Sequence, residues 1–114
     1  MKSHDNIHSP EDLEALFKDT AIELLGIKIT ELSDDHIVGS MPVDDRHLQS
    51  MGLLHGGVSC VLAETLGSAL SVVVASRDDK ISLGLEINAN HLKGVKKGSV
   101  VEGRCRFIQR GRSV

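Results

Sequence analysis

Aromatic residues are nearly absent: Phe17 and Phe107 stand alone, with no Trp and no Tyr. Stacking of bases, the sequence-tolerant route to single-stranded nucleic acid, has almost nothing to work with. An excess of one charge is lacking too. The chain carries 13 basic and 16 acidic residues for a net charge of −3. That balance implies no broad basic surface, so neither nucleic acid nor an anionic membrane is an expected partner. Cysteine is limited to Cys60 and Cys105, with no Cys-x-x-Cys spacing, which excludes a disulfide framework. With no signal peptide visible, reduced thiols and a cytoplasmic location are expected. The 6 histidines include no His-Glu-x-x-His or Cys/His ligand set, so no metal is expected.

What the chain does have is one long apolar run. From Val58 to Ser76 every residue is apolar, small or hydroxylated except Glu64. The run is about membrane length, but its glycines, serines and central carboxylate favour a helix buried in protein. An ionised carboxylate in such surroundings pairs, protonates or has a task. Eight residues upstream, Gly56 and Gly57 sit where that helix would begin. Helix starts leave free N–H donors and a partial positive charge, suited to an oxygen that develops negative charge. A carboxylate together with such a donor is a kit for attacking a carbonyl.

At 114 residues the chain is expected to form one domain spanning 1–114, with the polar residues 1–8 flexible. Ser9-Pro10-Glu11-Asp12 reads as a helix start, and Leu13, Leu16, Phe17, Ala21 and Leu24 follow at helical spacing until Gly26. Ile27–Leu32 and Ile37–Met41 read as strands of a hairpin turning at Ser33-Asp34-Asp35. Pro42 to Leu54 is mostly loop. After Arg77-Asp78-Asp79 a strand alternates apolar Ile81, Leu83, Leu85, Ile87 and Ala89 with Ser82, Gly84, Glu86, Asn88 and Asn90. Gly94–Gly98 reads as a turn and Val100–Ile108 as a further strand. This order predicts an α+β fold, an antiparallel sheet wrapped around one long central helix.

Two blocks carry a resemblance: Gln49-x2-Gly-x2-His-Gly-Gly running on to Glu64 and Ser68, and Gly84-Leu85-Glu86-Ile87-Asn88-Ala89-Asn90-His91. A looser Gln109-Arg110-Gly111-Arg112 follows. Together they resemble the hotdog-fold acyl-CoA thioesterases of the phenylacetate and 4-hydroxybenzoyl-CoA branch, with bacterial 1,4-dihydroxy-2-naphthoyl-CoA hydrolases especially similar. The resemblance implies hydrolysis of an acyl-CoA, tilted toward aromatic acids, to the free acid and coenzyme A. It implies no separate cofactor, and a homodimer as minimal unit within a homotetramer. Glu64 would be nucleophile or general base, and the Gly56 N–H would polarise the thioester oxygen. Gln49 would position the attacking group or water, His55 would brace the loop or contact the thioester, and Ser68, one turn after Glu64, would hold the water.

The same resemblance assigns Gly84 to the acyl pocket. It sets His91, Leu92, Lys93 and Gly94 against substrate or coenzyme A, and Arg110, Gly111, Arg112 and Ser113 against the coenzyme A phosphates. Each residue also has a plain reading: a hydrogen-bonded interfacial glutamate, turn glycines, ordinary loop residues, a helix-packing serine. The alternative for the whole is a non-catalytic acyl-CoA-binding or regulatory module of the same fold. Two further strands that complete the family's sheet are expected beyond the Arg-Gly-Arg turn and do not occur within the 114 residues.

Overall fold

A computed structural model describes residues 7–73, 82–88 and 95–108. The first helix, α1 (Pro10–Phe17), starts as its sequence dictates. Ser9 Oγ accepts the Asp12 N–H at 3.2 Å, and Pro10 occupies the first turn, where its missing N–H costs nothing. The expected single helix to Gly26 is instead two. Asp19 adopts φ 63, and Thr20 caps a separate short helix, α2 (Ala21–Leu24), by accepting the Ile22 N–H. A left-handed Asp followed by a capping Thr outcompetes helical spacing here.

Strands β1 (Lys28–Leu32), β2 (His36–Pro42), β3 (Ser82–Asn88) and β4 (Val100–Ile108) form an antiparallel sheet in the order β1-β2-β4-β3. The β1–β2 hairpin turns at the expected residues, with its register broken between Ile29 and Glu31. Glu14 Oε2 accepts the Ile29 N–H at 2.8 Å and fastens α1 to this edge. Along β4, Val101, Gly103 and Cys105 are buried while Glu102, Arg104 and Arg106 are exposed, the period of two that a half-buried strand requires.

The long helix, α3 (Gly56–Val73), lies across this sheet. Leu62, Leu66 and Leu70, at four-residue spacing, are fully buried in the core with Ile37, Met41 and Val101. Gly39 of β2 permits the approach: a Cβ there would stand 2.8 Å from Leu66 Cδ2 and 3.1 Å from the Lys28 carbonyl oxygen. By length and composition α3 could cross a membrane, yet the sheet contacts show a core helix. Only 28% of it is buried within one chain.

Candidate active site

The loop entering α3 is held from below by a histidine that sequence reasoning missed. His47 is completely buried. Its Nε2 donates to the Leu25 carbonyl at 2.7 Å and its Nδ1 accepts the Asp44 N–H at 3.0 Å, so the ring proton sits on Nε2. Asp44 Oδ1 also lies 3.0 Å from Nδ1. Because the Nδ1 lone pair already accepts the Asp44 N–H, that approach is proximity and not an ion pair. Asp44 pairs with Arg46 instead, through bonds of 2.9 and 2.7 Å, and the guanidinium holds its carboxyl well below the usual carboxylate range. The Arg46 side chain also donates to the Leu24 carbonyl. The signal available in sequence was Asp-x-x-His, a capping pattern that a 3-10 turn over Asp45–His47 uses.

Above this base lie the candidate residues of the loop and helix start. The His47 carbonyl accepts the His55 N–H at 2.8 Å. Gln49 braces the intervening turn, its Oε1 accepting from Met51 N at 2.6 Å and Leu53 N at 3.0 Å. Its side-chain amide donors have no partner among the described residues. His55 then caps α3. Nδ1 takes the Gly57 N–H at 2.9 Å, and its carbonyl takes those of Val58 and Ser59. Gly57 must lack a side chain, because a Cβ would come within 3.0 Å of the His55 ring.

Of the first four N–H groups of α3, only that of Gly56 has no partner among the described residues, and it sits on an exposed residue whose missing Cβ would meet nothing within 4 Å. An unspent donor beside open space is what an incoming oxygen requires. Glu64 and Ser68 sit further along, on the face that also carries Cys60 and Ser71. Ser68 Oγ donates to Glu64 Oε2 at 3.0 Å. The expectation of a buried Glu64 is corrected at this point: within one chain it is exposed. The apolar run suggested burial all round, but the sheet covers only the Leu62–Leu66–Leu70 side.

Gly56 and Glu64 are eight positions apart, about 12 Å along the axis at ~1.5 Å per residue. The structure therefore brings Gln49, His55 and Gly56 together at one end of α3, and Glu64 with Ser68 two turns on. Gly84 lies in β3 opposite Arg106, in the row shared with the exposed Glu102 and Arg104 of β4. His91, Leu92, Lys93, Gly94, Arg110, Gly111, Arg112 and Ser113 lie outside the described residues.

Residues 51–114 match the family described as the thioesterase superfamily. The chain is 45% identical over 102 residues to the proofreading thioesterase EntH of Cronobacter turicensis, covering 90% of this chain and 73% of that protein. It is 40% identical over 101 residues to the 1,4-dihydroxy-2-naphthoyl-CoA hydrolase of Escherichia coli, covering 89% and 73%. Among solved structures, a mutant thioesterase from Pseudomonas aeruginosa superposes with a TM-score of 0.71 at 38% identity, covering 96% of this chain and 79% of the other. The chain belongs to the thioesterase superfamily and has the hotdog fold, with its antiparallel sheet and long central helix. It is accordingly a thioester hydrolase, which favours the enzyme over the non-catalytic module.

Proposed function

We propose that this thioesterase hydrolyses an acyl-CoA, with Glu64 as the reacting carboxylate and the Gly56 N–H as the donor to the thioester oxygen. One observation carries the reading: after His55 has taken the donors of Gly57, Val58 and Ser59, the Gly56 N–H is left without a partner among the described residues. In the general-base course, Glu64 accepts a proton from water as the oxygen adds to the carbonyl carbon. Charge moves onto the carbonyl oxygen, where the N–H meets it. Collapse breaks the carbon–sulfur bond, and the proton held by Glu64 passes to the departing thiolate. In the nucleophilic course the carboxylate adds to the carbonyl, the carbon–sulfur bond breaks and coenzyme A leaves as a thiolate that takes a proton from solvent. Water then cleaves the anhydride to the free acid and the Glu64 carboxylate. The Ser68 hydroxyl bonded to Glu64 orients the carboxylate in either course, and the amide of Gln49 is left to hold water or substrate.

Since about 12 Å separates donor from carboxylate on one helix, and a reacting carbonyl needs each within about 3–3.5 Å, the site is shared between two subunits. Two antiparallel copies of α3 across a two-fold axis place each Glu64 beside the partner helix start. The uncovered face of α3 supports such a pairing. The cytoplasm suits this enzyme, in keeping with the unpaired thiols of Cys60 and Cys105. The test is thiol release from a panel of aryl and aliphatic acyl-CoAs. Turnover that drops on Gln49→Ala supports the assignment, and binding of every acyl-CoA without thiol release defeats it.

A further inference from the structure

His47 takes no direct part in the chemistry, since its ring is completely buried under the loop. What the ring joins is two separate pieces of backbone. Nε2 donates to the Leu25 carbonyl at the end of α2, and Nδ1 accepts the Asp44 N–H in the loop. One residue earlier, Arg46 donates to the neighbouring Leu24 carbonyl. A helix leaves its last carbonyls without internal partners, and here the loop before α3 takes two of them. Gly26, at φ 73, makes room for this: a Cβ there would stand 3.2 Å from an Arg46 guanidinium nitrogen and from Pro42 Cγ. From His47 the constraint runs on to α3. The His47 carbonyl accepts the His55 N–H at 2.8 Å, and residues 47–55 close into a narrow loop paired at Leu48 and Leu54. His55 Nδ1 then takes the Gly57 N–H and fixes the first turn of the helix.

We propose that His47 is a positioning residue: its bond to the Leu25 carbonyl sets where the Gly56 N–H stands, and through it the rate of turnover, without contact with substrate. The proposal rests on the reading of Gly56 as donor to the thioester oxygen. A neutral imidazole suits the task because the ring is rigid and offers one donor and one acceptor. The bond to Asp44 spans three residues and shapes the turn itself. The bond to Leu25 spans 22 residues and fixes that turn against another element. A donor acts on a developing charge only where it is already in place, and a misplacement of about 1 Å can cost about 100-fold in rate.

Two substitutions separate the ring bonds. His47→Gln sets an amide nitrogen near the place of Nε2 and keeps the Leu25 bond. His47→Asn sets an amide oxygen near the place of Nδ1 and keeps the Asp44 bond alone. Kinetics use the acyl-CoA that the wild type hydrolyses fastest. We expect kcat to fall about 10- to 100-fold in His47→Asn with KM within about threefold, and His47→Gln to recover most of the loss. A histidine that only stabilises the fold would instead give losses that follow the melting temperature. The donor is read directly in 15N–1H NMR spectra with phenacyl-CoA, whose methylene between sulfur and carbonyl prevents hydrolysis. The Gly56 amide should shift on binding in the wild type and His47→Gln, and shift less in His47→Asn. If neither His47 variant folds, Arg46→Ala, on an exposed residue, should lower kcat several-fold and shrink the same shift. Equal kcat in the two His47 variants, an undiminished Gly56 shift in His47→Asn, or, in the second case, wild-type behaviour of Arg46→Ala would overturn the proposal. A wild-type Gly56 amide that ignores saturating phenacyl-CoA would instead defeat the donor reading, and this proposal with it.

Discussion

The bond from Ser68 Oγ to Glu64 Oε2 determines which substitution isolates the chemistry. Glu64→Gln keeps the side-chain length and an acceptor for Ser68 while removing the basic oxygen. We expect turnover to fall about 10²–10⁴-fold, the usual contribution of a positioned base. The melting temperature should stay equal or rise, because Glu64 is exposed in the single chain and meets a less polar setting only on pairing. Near-normal thiol release by this variant would remove Glu64 from the mechanism. Gln49→Ala should cost less activity, since its Oε1 is committed to Met51 and Leu53 and only its amide donors face outward work. His47 illustrates what a single sequence hides: a buried histidine reads like any loop residue until its two ring partners, Leu25 and Asp44, are known.

Elements were legible where local chemistry settles them and obscure where tertiary contacts do. Ser9-Pro10 fixes the start of α1, and alternation fixes β4, because capping and pleat act over a few residues. The break between α1 and α2 was not legible, since apolar spacing continues through Asp19 while its backbone does not. Nor was the orientation of α3, because a helix with small residues on every side has no obvious solvent face. Gly39 tests the packing of that helix. Gly39→Ala drives a methyl against Leu66, which is fully buried, and against the Lys28 carbonyl, so unfolding should become easier by about 1–3 kcal/mol in denaturant titration. An unchanged midpoint would show that α3 can slide.

The β1–β2 hairpin carries a second test. Bonds to Glu31 and Asp35 raise the His36 pKa above its usual value and lower theirs. A raised folded pKa means that this contribution is complete below the unfolded value near ~6.5 and fades as pH climbs through the folded one. The wild type should thus lose stability relative to His36→Gln as pH rises across that interval. NMR titration of the ring should give a midpoint above ~6.5. A midpoint at or below it would contradict the pairing.

At the scale of the whole molecule, the proposed pairing of the Gly56 donor with a Glu64 carboxylate calls for a second chain, and complementation tests it directly. A Glu64→Ala chain retains the donor, and a Gly56→Pro chain retains the carboxylate but lacks the N–H. Pro at the first position of α3 is compatible with the helix, so Gly56→Pro should fold, as circular dichroism of that variant alone must show. Each variant alone should be nearly inactive. In a dimer formed from one chain of each, the donor of the first faces the carboxylate of the second, and the other site lacks both. Random pairing makes about half of all dimers mixed, each with one working site of two, so about a quarter of normal activity should return. Mixed dimers that form without regaining activity would put donor and carboxylate in the same chain. The helix would then have to deliver across about 12 Å what chemistry requires within hydrogen-bond reach.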